Sequence, residues 1–302
     1  MSSWRIESSE ADGLGPQRTF PSALGWRTEA YMRQVLTGFS IAAASLALTL
    51  AFMHGDGVWA QSRATPAQSR PATSSAGFPR TPDGKPNLTG VWQAVNAAAW
   101  DIQDHNGSMD VPAGVGVVEG NEIPYLPAAA ARKKENYDNR DKLDPAAKCY
   151  LPGVPRATYM PYPFQIVQAT QHIAIGYEYA HAARRVYLDG SKHPEALDFW
   201  MGDSRGRWEG DTLVVDVSNF NGKTWFDRAG NFASDTLHVV ERYTPTTPNH
   251  LLYEATIEDP KVFSRPWKMS MPLYRRMERP PRILEYECVA YLEEETFGTI
   301  VR

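Results

Sequence analysis

The chain has 302 residues, with 31 Lys and Arg against 35 Asp and Glu and a formal net charge of −4. The two signs are interspersed and no basic block occurs, which excludes a binder of phosphate backbones and makes nucleic acid an unexpected partner. Tryptophan and tyrosine number 9 and 14, a supply that fills β cores and also suits the walls of a binding cleft.

Residues 1–31 read as a polar leader ahead of the true start at Met32. Arg33 then precedes an uncharged stretch at 35–52, and Val58-x-Ala60 offers a small-residue cleavage site before Gln61. This is the layout of a signal peptide over 32–60. An uncleaved anchor is the competing reading, because the apolar stretch nearly spans a bilayer; after cleavage no stable membrane span is expected. Export to the periplasm or beyond would bring Cys149 and Cys288 into an oxidising compartment, where a lone pair commonly bonds. The bridge would close a loop of about 140 residues, on the order of 4–5 kcal/mol in the chain-entropy picture.

Residues 61–80, rich in Ser, Ala and Pro, read as a disordered linker, and a single β-rich domain is expected over 81–302. Pro-Asp-Gly marks a turn, after which Leu88, Val91 and Trp92 open a first strand. From Asn96 to Asp144 the chain is irregular except for an Ala-led, charge-rich helix from about Pro127 to Lys142. Period-2 patterns then take over: two strands around Thr170-Gln171, with Ile173, Ile175 and Tyr177 on one face and His172, Ala174 and Glu178 on the other. "RRVYLDG", "DTLVVDVSNF", "TLHVVERYT", "HLLYEATIED", "WKMSMPLYRR" and "RILEYECVAYL" continue the series. The expected fold is mainly β: an antiparallel meander closing as a lipocalin-like barrel or a sandwich, with a long irregular N-terminal arm and about one helix.

"GDSRG" at 202–206 matches Gly-x-Ser-x-Gly, which sets a nucleophilic serine on a strand-to-helix turn in many hydrolases. "TLVVDV" follows, with Leu213, Val215 and Val217 alternating against Thr212, Val214 and Asp216. A strand after the motif, in a chain without βαβ alternation, excludes a nucleophile elbow at Ser204. The glycines read instead as positive-φ positions in a hairpin connection.

"TPDGKPNLTGVW", "GDSRGRWEGDTLVVDVSNFN", "LHVVERYT" and "TIEDPKVFSRPW" together resemble a group of secreted bacterial proteins of unassigned function. The resemblance covers most of residues 80–290, and it is the combination of segments that is specific. The Gly-x-Trp-x-Gly-Asp-Thr-Leu step and the later Asp-Pro are also similar, at the level of fold only, to lipocalin-like barrels; that likeness implies a barrel with an internal ligand site and no particular reaction.

Candidate acid–base groups are His172 with Glu178, Asp203, His238 with Arg242, and Glu241. Glu241 shares a face with Leu237, Val239 and Tyr243; a glutamate among apolar residues can serve as acid or base unless an arginine neutralises it. The plainer alternative for "ERY" is a structural ion pair. His193 in a loop before Pro194 and the aromatic residues Tyr177, Trp200, Trp208, Phe220, Trp225, Tyr243 and Trp267 are candidate ligand contacts. No His-x-His or His-Glu-x-x-His spacing is present, so no metal site is assigned, although His172, His193 and His238 could converge. Phosphate loops, dinucleotide fingerprints and haem motifs are absent, so no cofactor is expected. The leading expectation is a barrel that binds a small apolar or aromatic molecule, with cofactor-independent lyase or isomerase chemistry open to it. The rivals are a noncatalytic glycan- or protein-binding module and a metal-dependent enzyme using the scattered histidines.

Overall fold

A computed structural model describes residues 77–108 and 111–288. The leader, the signal peptide and residues 61–76 of the linker lie outside the described residues. Nine strands form a closed barrel in chain order: β1 (Gly90–Ala94), β2 (Phe164–Gln168), β3 (His172–Tyr177), β4 (Ala183–Tyr187), β5 (Asp203–Glu209), β6 (Thr212–Ser218), β7 (His238–Thr247), β8 (His250–Glu258) and β9 (Trp267–Arg275). β1 also pairs with β9, Trp92 opposite Arg275 and Ala94 opposite Leu273, so neither end of the sheet is left as an open edge. The expected barrel is therefore the one formed, rather than a sandwich.

One pairing departs from an all-antiparallel meander. β4 and β5 run parallel, Val186 beside Ser204 and Tyr187 beside Arg205. Parallel neighbours cannot be joined by a tight hairpin, and residues 188–202 carry the chain back along the barrel to start β5 in the same direction. Gly202, just before β5, has φ +66°, as a turn glycine should. Gly206 does not fit the hairpin reading: it lies inside β5, where an added Cβ would meet Val186 Cγ1 and Leu188 Cδ2 at 2.6 Å. Its role is close approach of strands, not a turn.

The expected helix forms in two pieces, and a further short one brings the described residues to three α-helices. α1 (Pro127–Asp138) begins with proline in its first turn, α2 (Arg140–Leu143) follows across Asn139, and α3 (Arg156–Tyr159) packs against β1. No helix among the described residues is long and apolar enough to cross a membrane.

The inward positions alternate as the pleat requires. Trp92, Phe164, Ile166, Ile173, Ile175, Val215, Val239 and Tyr253 are buried within one continuous core. The strand expected from "RILEYECVAYL" does not form over its described part, which ends at Cys288. That segment is instead a strap: Leu284 N donates to Glu178 Oε2 at 2.7 Å, Tyr286 packs on Tyr162 and Tyr179, and Cys288 is disulfide-bonded to Cys149. Its hydrogen bonds and packing run to other parts of the chain, so its alternating pattern serves docking, not strand pairing.

The bridge spans 139 residues of sequence. A Cys149→Ser, Cys288→Ser double variant should lose about 2–5 kcal/mol of stability in urea unfolding, and the wild type should lose the same amount in reductant.

Candidate functional site

The parallel seam creates the site. β4 and β5 share only the two register pairs named above, and before them the strands diverge around a pocket of about 440 Å³. Its walls are Leu151, Tyr187, Phe199, Trp200 and Met201; Arg184 and Ser204 reach it from the core face, and Arg185, Asp198 and Asp203 stand at its polar side. The loop that forms one wall is held in place: Asn219 Nδ2 donates to the carbonyls of Pro194 and Leu197 at 2.7 and 2.8 Å, and Phe199 N to Asn219 O at 2.8 Å. Trp200 stacks on Tyr150 with centroids 4.9 Å apart. Phe199, on the pocket wall, is 40% exposed, and Leu197 in the same loop and Tyr150 against Trp200 are exposed at 56% and 50%, which leaves apolar surface in water beside the opening.

Behind the pocket lies a buried polar cluster. Arg184, from β4, donates to both carboxylate oxygens of Glu241 on β7, at 2.7 and 3.0 Å, and to Tyr243 Oη at 2.9 Å. Tyr243 and Tyr253 donate to Glu241 Oε1 at 3.0 and 2.9 Å. Arg184 Nη1 also reaches Ser204 Oγ at 3.3 Å. Burial works against the charged guanidinium, but the Glu241 carboxylate beside it leaves Arg184 well above its ordinary range. Burial, and then the charge of Glu241, push the Tyr243 and Tyr253 phenols well above theirs. The sequence places Glu241 inward correctly; its neutralising arginine is Arg184, whereas Arg242 points outward and donates to Glu209 at 2.9 Å.

On the outer face three sequence candidates meet. His193 lies between two carboxylates, Nδ1 2.7 Å from Asp203 Oδ1 and Nε2 2.9 Å from Asp216 Oδ1. His238 Nε2 is 3.0 Å from the other Asp216 oxygen, and its Nδ1 is 3.7 Å from Glu258. Arg205 clamps Asp203 through Nε and Nη2 at 2.6 and 3.0 Å. The His238 bond, followed by the one from His193, holds the Asp216 carboxyl below the usual aspartate value, and Asp216 raises His238 above 6.5. Among the described residues no group of three or more His, Cys, Asp and Glu is placed to hold a metal ion.

The remaining candidates disperse. His172 starts β3, half-buried on the outer face, and Glu178 is engaged by the C-terminal strap. Tyr177, Trp225, Tyr243, Trp267 and Phe220 are buried in the core, and Trp208 packs partly buried against it. Only Trp200 and Asp203 of the sequence candidates line the seam pocket. Arg184, Tyr187, Phe199 and Asp216 were missed; Arg184 was readable, because in "ARRVY" it shares the inward parity of Val186.

A second carboxylate pair lies away from the seam. Burial, and then the charge of Asp101, push the Asp227 carboxyl up to about 7. Asp227 accepts from the amides of Ile102 and Asn231 at 2.9 and 3.1 Å, which is a loop-organising role.

Replacing Glu241 with Ala should strand a buried guanidinium and cost about 3–5 kcal/mol, while Arg184→Met with Glu241→Leu should recover most of the loss in urea unfolding. The outer bridge has a defined pH window. His238, raised, contributes fully below 6.5 and loses its share as pH climbs through the folded value; Asp216, lowered, contributes above 3.8 and loses its share on acidification. His238→Gln should therefore flatten the alkaline fall in stability, by about 0.2–1 kcal/mol for so exposed a pair, in melts run from pH 5 to 9. No known protein family matches this chain, and no curated protein matches it.

Proposed function

We propose that this protein is an exported β-barrel, periplasmic or secreted, that binds a small apolar or aromatic molecule in the pocket between β4 and β5. The observation that carries the reading is the pocket itself: about 440 Å³, walled by Tyr187, Phe199, Trp200, Leu151 and Met201, with a few convergent polar groups. Small-molecule sites have this composition and size, mostly apolar walls with sparse orienting polar atoms. Export is supported by the Cys149–Cys288 bridge, which suits an oxidising compartment, and by the cleavage pattern ending at Ala60.

Binding rather than turnover is the core of the proposal. Asp203 is the one sequence-derived acid–base candidate on the pocket wall, and its oxygens already accept from Arg205 and face His193. That arrangement suits holding the wall in place. Lyase or isomerase chemistry would have to draw on Asp203 and His193, and the noncatalytic alternative uses the exposed apolar surface beside the opening for a glycan or protein.

Native mass spectrometry of the processed protein, recovered from its host without denaturation, tests the reading. A small organic mass above the oxidised polypeptide should be present, be lost in Trp200→Ala and persist in Tyr274→Ala on the far strand β9. A bare mass, combined with no detectable binding of small aromatic probes in titration, overturns it.

A further inference from the structure

Ser204 is 1% exposed and lines the pocket. Its oxygen accepts from Arg184 Nη1, and a guanidinium offers only donors, so the serine's own hydrogen must be directed to another group. Among the described residues no acceptor takes it. The neighbourhood repeats the pattern: Arg184 Nε is buried without a hydrogen-bond partner. Leaving a buried donor unmatched is costly, and the adjoining open space is the pocket.

The charged groups beside it are already matched, Arg184 by Glu241 and Asp203 by Arg205. A carboxylate or ammonium brought against Ser204 would add an unmatched charge beside a buried ion pair, where desolvation is severe. A neutral acceptor incurs no such penalty. The planar faces of Tyr187, Phe199 and Trp200 favour a flat ring for the rest of the molecule.

Resting on the pocket reading above, we propose that the ligand is an uncharged aryl carbonyl compound whose oxygen accepts a hydrogen bond from the Ser204 hydroxyl. Ser204, first met in a hydrolase-like motif, then acts as a donor that selects the ligand and forms no covalent bond to it.

The test is calorimetric titration of the processed full-length protein with three probes that share one ring system: acetylnaphthalene, ethylnaphthalene and naphthoate. The ketone should bind about 3- to 10-fold tighter than the hydrocarbon, the yield of one net hydrogen bond, and naphthoate should bind weakest. Ser204→Ala should erase the preference for the ketone over the hydrocarbon, so that the two bind within about 2-fold of each other. Equal binding of ketone and hydrocarbon, or tightest binding of naphthoate, overturns the inference; if that binding is still lost in Trp200→Ala, the pocket reading survives. Absence of binding by all three probes overturns the inference, and together with a bare native mass it overturns the pocket reading as well. The wild-type comparison alone can overturn the inference, however well any variant folds, and Ser204→Ala assigns the donor to Ser204 rather than to Arg184 Nε.

Discussion

The barrel is organised around one buried ion pair. Arg184 and Glu241 come from strands that are not neighbours, β4 and β7, and their contact crosses the interior between them. Burying two charges is unfavourable by several kcal/mol per ion unless their hydrogen-bonding capacity is filled. Here Tyr243 and Tyr253 donate to the carboxylate, and Ser204 and Tyr243 accept from the guanidinium. The cluster therefore draws on β4, β5, β7 and β8 together, and a one-residue slip of any of them would turn its contributor outward.

That constraint explains how the weak seam is tolerated. β4 and β5 pair over a short parallel stretch, where the hydrogen-bond ladder supplies little cohesion. Arg184 reaches across it from the inside to Ser204, and Tyr187 and Arg205 stack across it from the outside, the guanidinium 4.4 Å from the ring centroid. Clasped on both faces at one level, the seam can open at the other without the barrel coming apart. The pocket is that opening. Its location in the wall, rather than the lumen, follows because the lumen is occupied by Trp92, Phe164, Tyr243, Tyr253 and their apolar neighbours.

Much of the fold was legible in the sequence because it rests on local alternation. The Val215 and Val217 parity, the inward Glu241 and the hairpin around Thr170-Gln171 all follow from period 2 within single segments. What was not legible depends on pairing between segments. A parallel β4–β5 contact leaves no mark in either strand's pattern, and the return loop at 188–202 reads as an ordinary turn-rich stretch. The site suffers most from this, since it exists only where that pairing ends. Tyr177, Tyr243 and Trp267 have the chemistry of ligand walls, yet closure of the barrel spends them on its core. The pairing of Cys149 with Cys288 was legible for a different reason: a chain with two cysteines allows one intramolecular bridge.

The Gly-x-Ser-x-Gly stretch shows how a motif can be coincidental in form and still have every position determined. Gly202 supplies the positive φ that turns the chain into β5, and an added Cβ there would meet Phe220 at 2.9 Å. Ser204, two residues on, points inward by strand parity and meets Arg184, where a larger side chain would compete with the guanidinium for space. Gly206, two further, is the next inward position, where Val186 and Leu188 approach too closely for any Cβ. From Ser204 to Gly206 the spacing of two that mimics a nucleophile elbow is thus the spacing of the β pleat itself, two successive inward positions of β5, while Gly202 is the turn residue that leads into the strand. A hydrolase elbow requires its serine to stand beside a base and an oxyanion site. Here the same serine stands beside a guanidinium already matched to a carboxylate, a setting that leaves it the chemistry of a hydrogen-bond donor and not of a nucleophile.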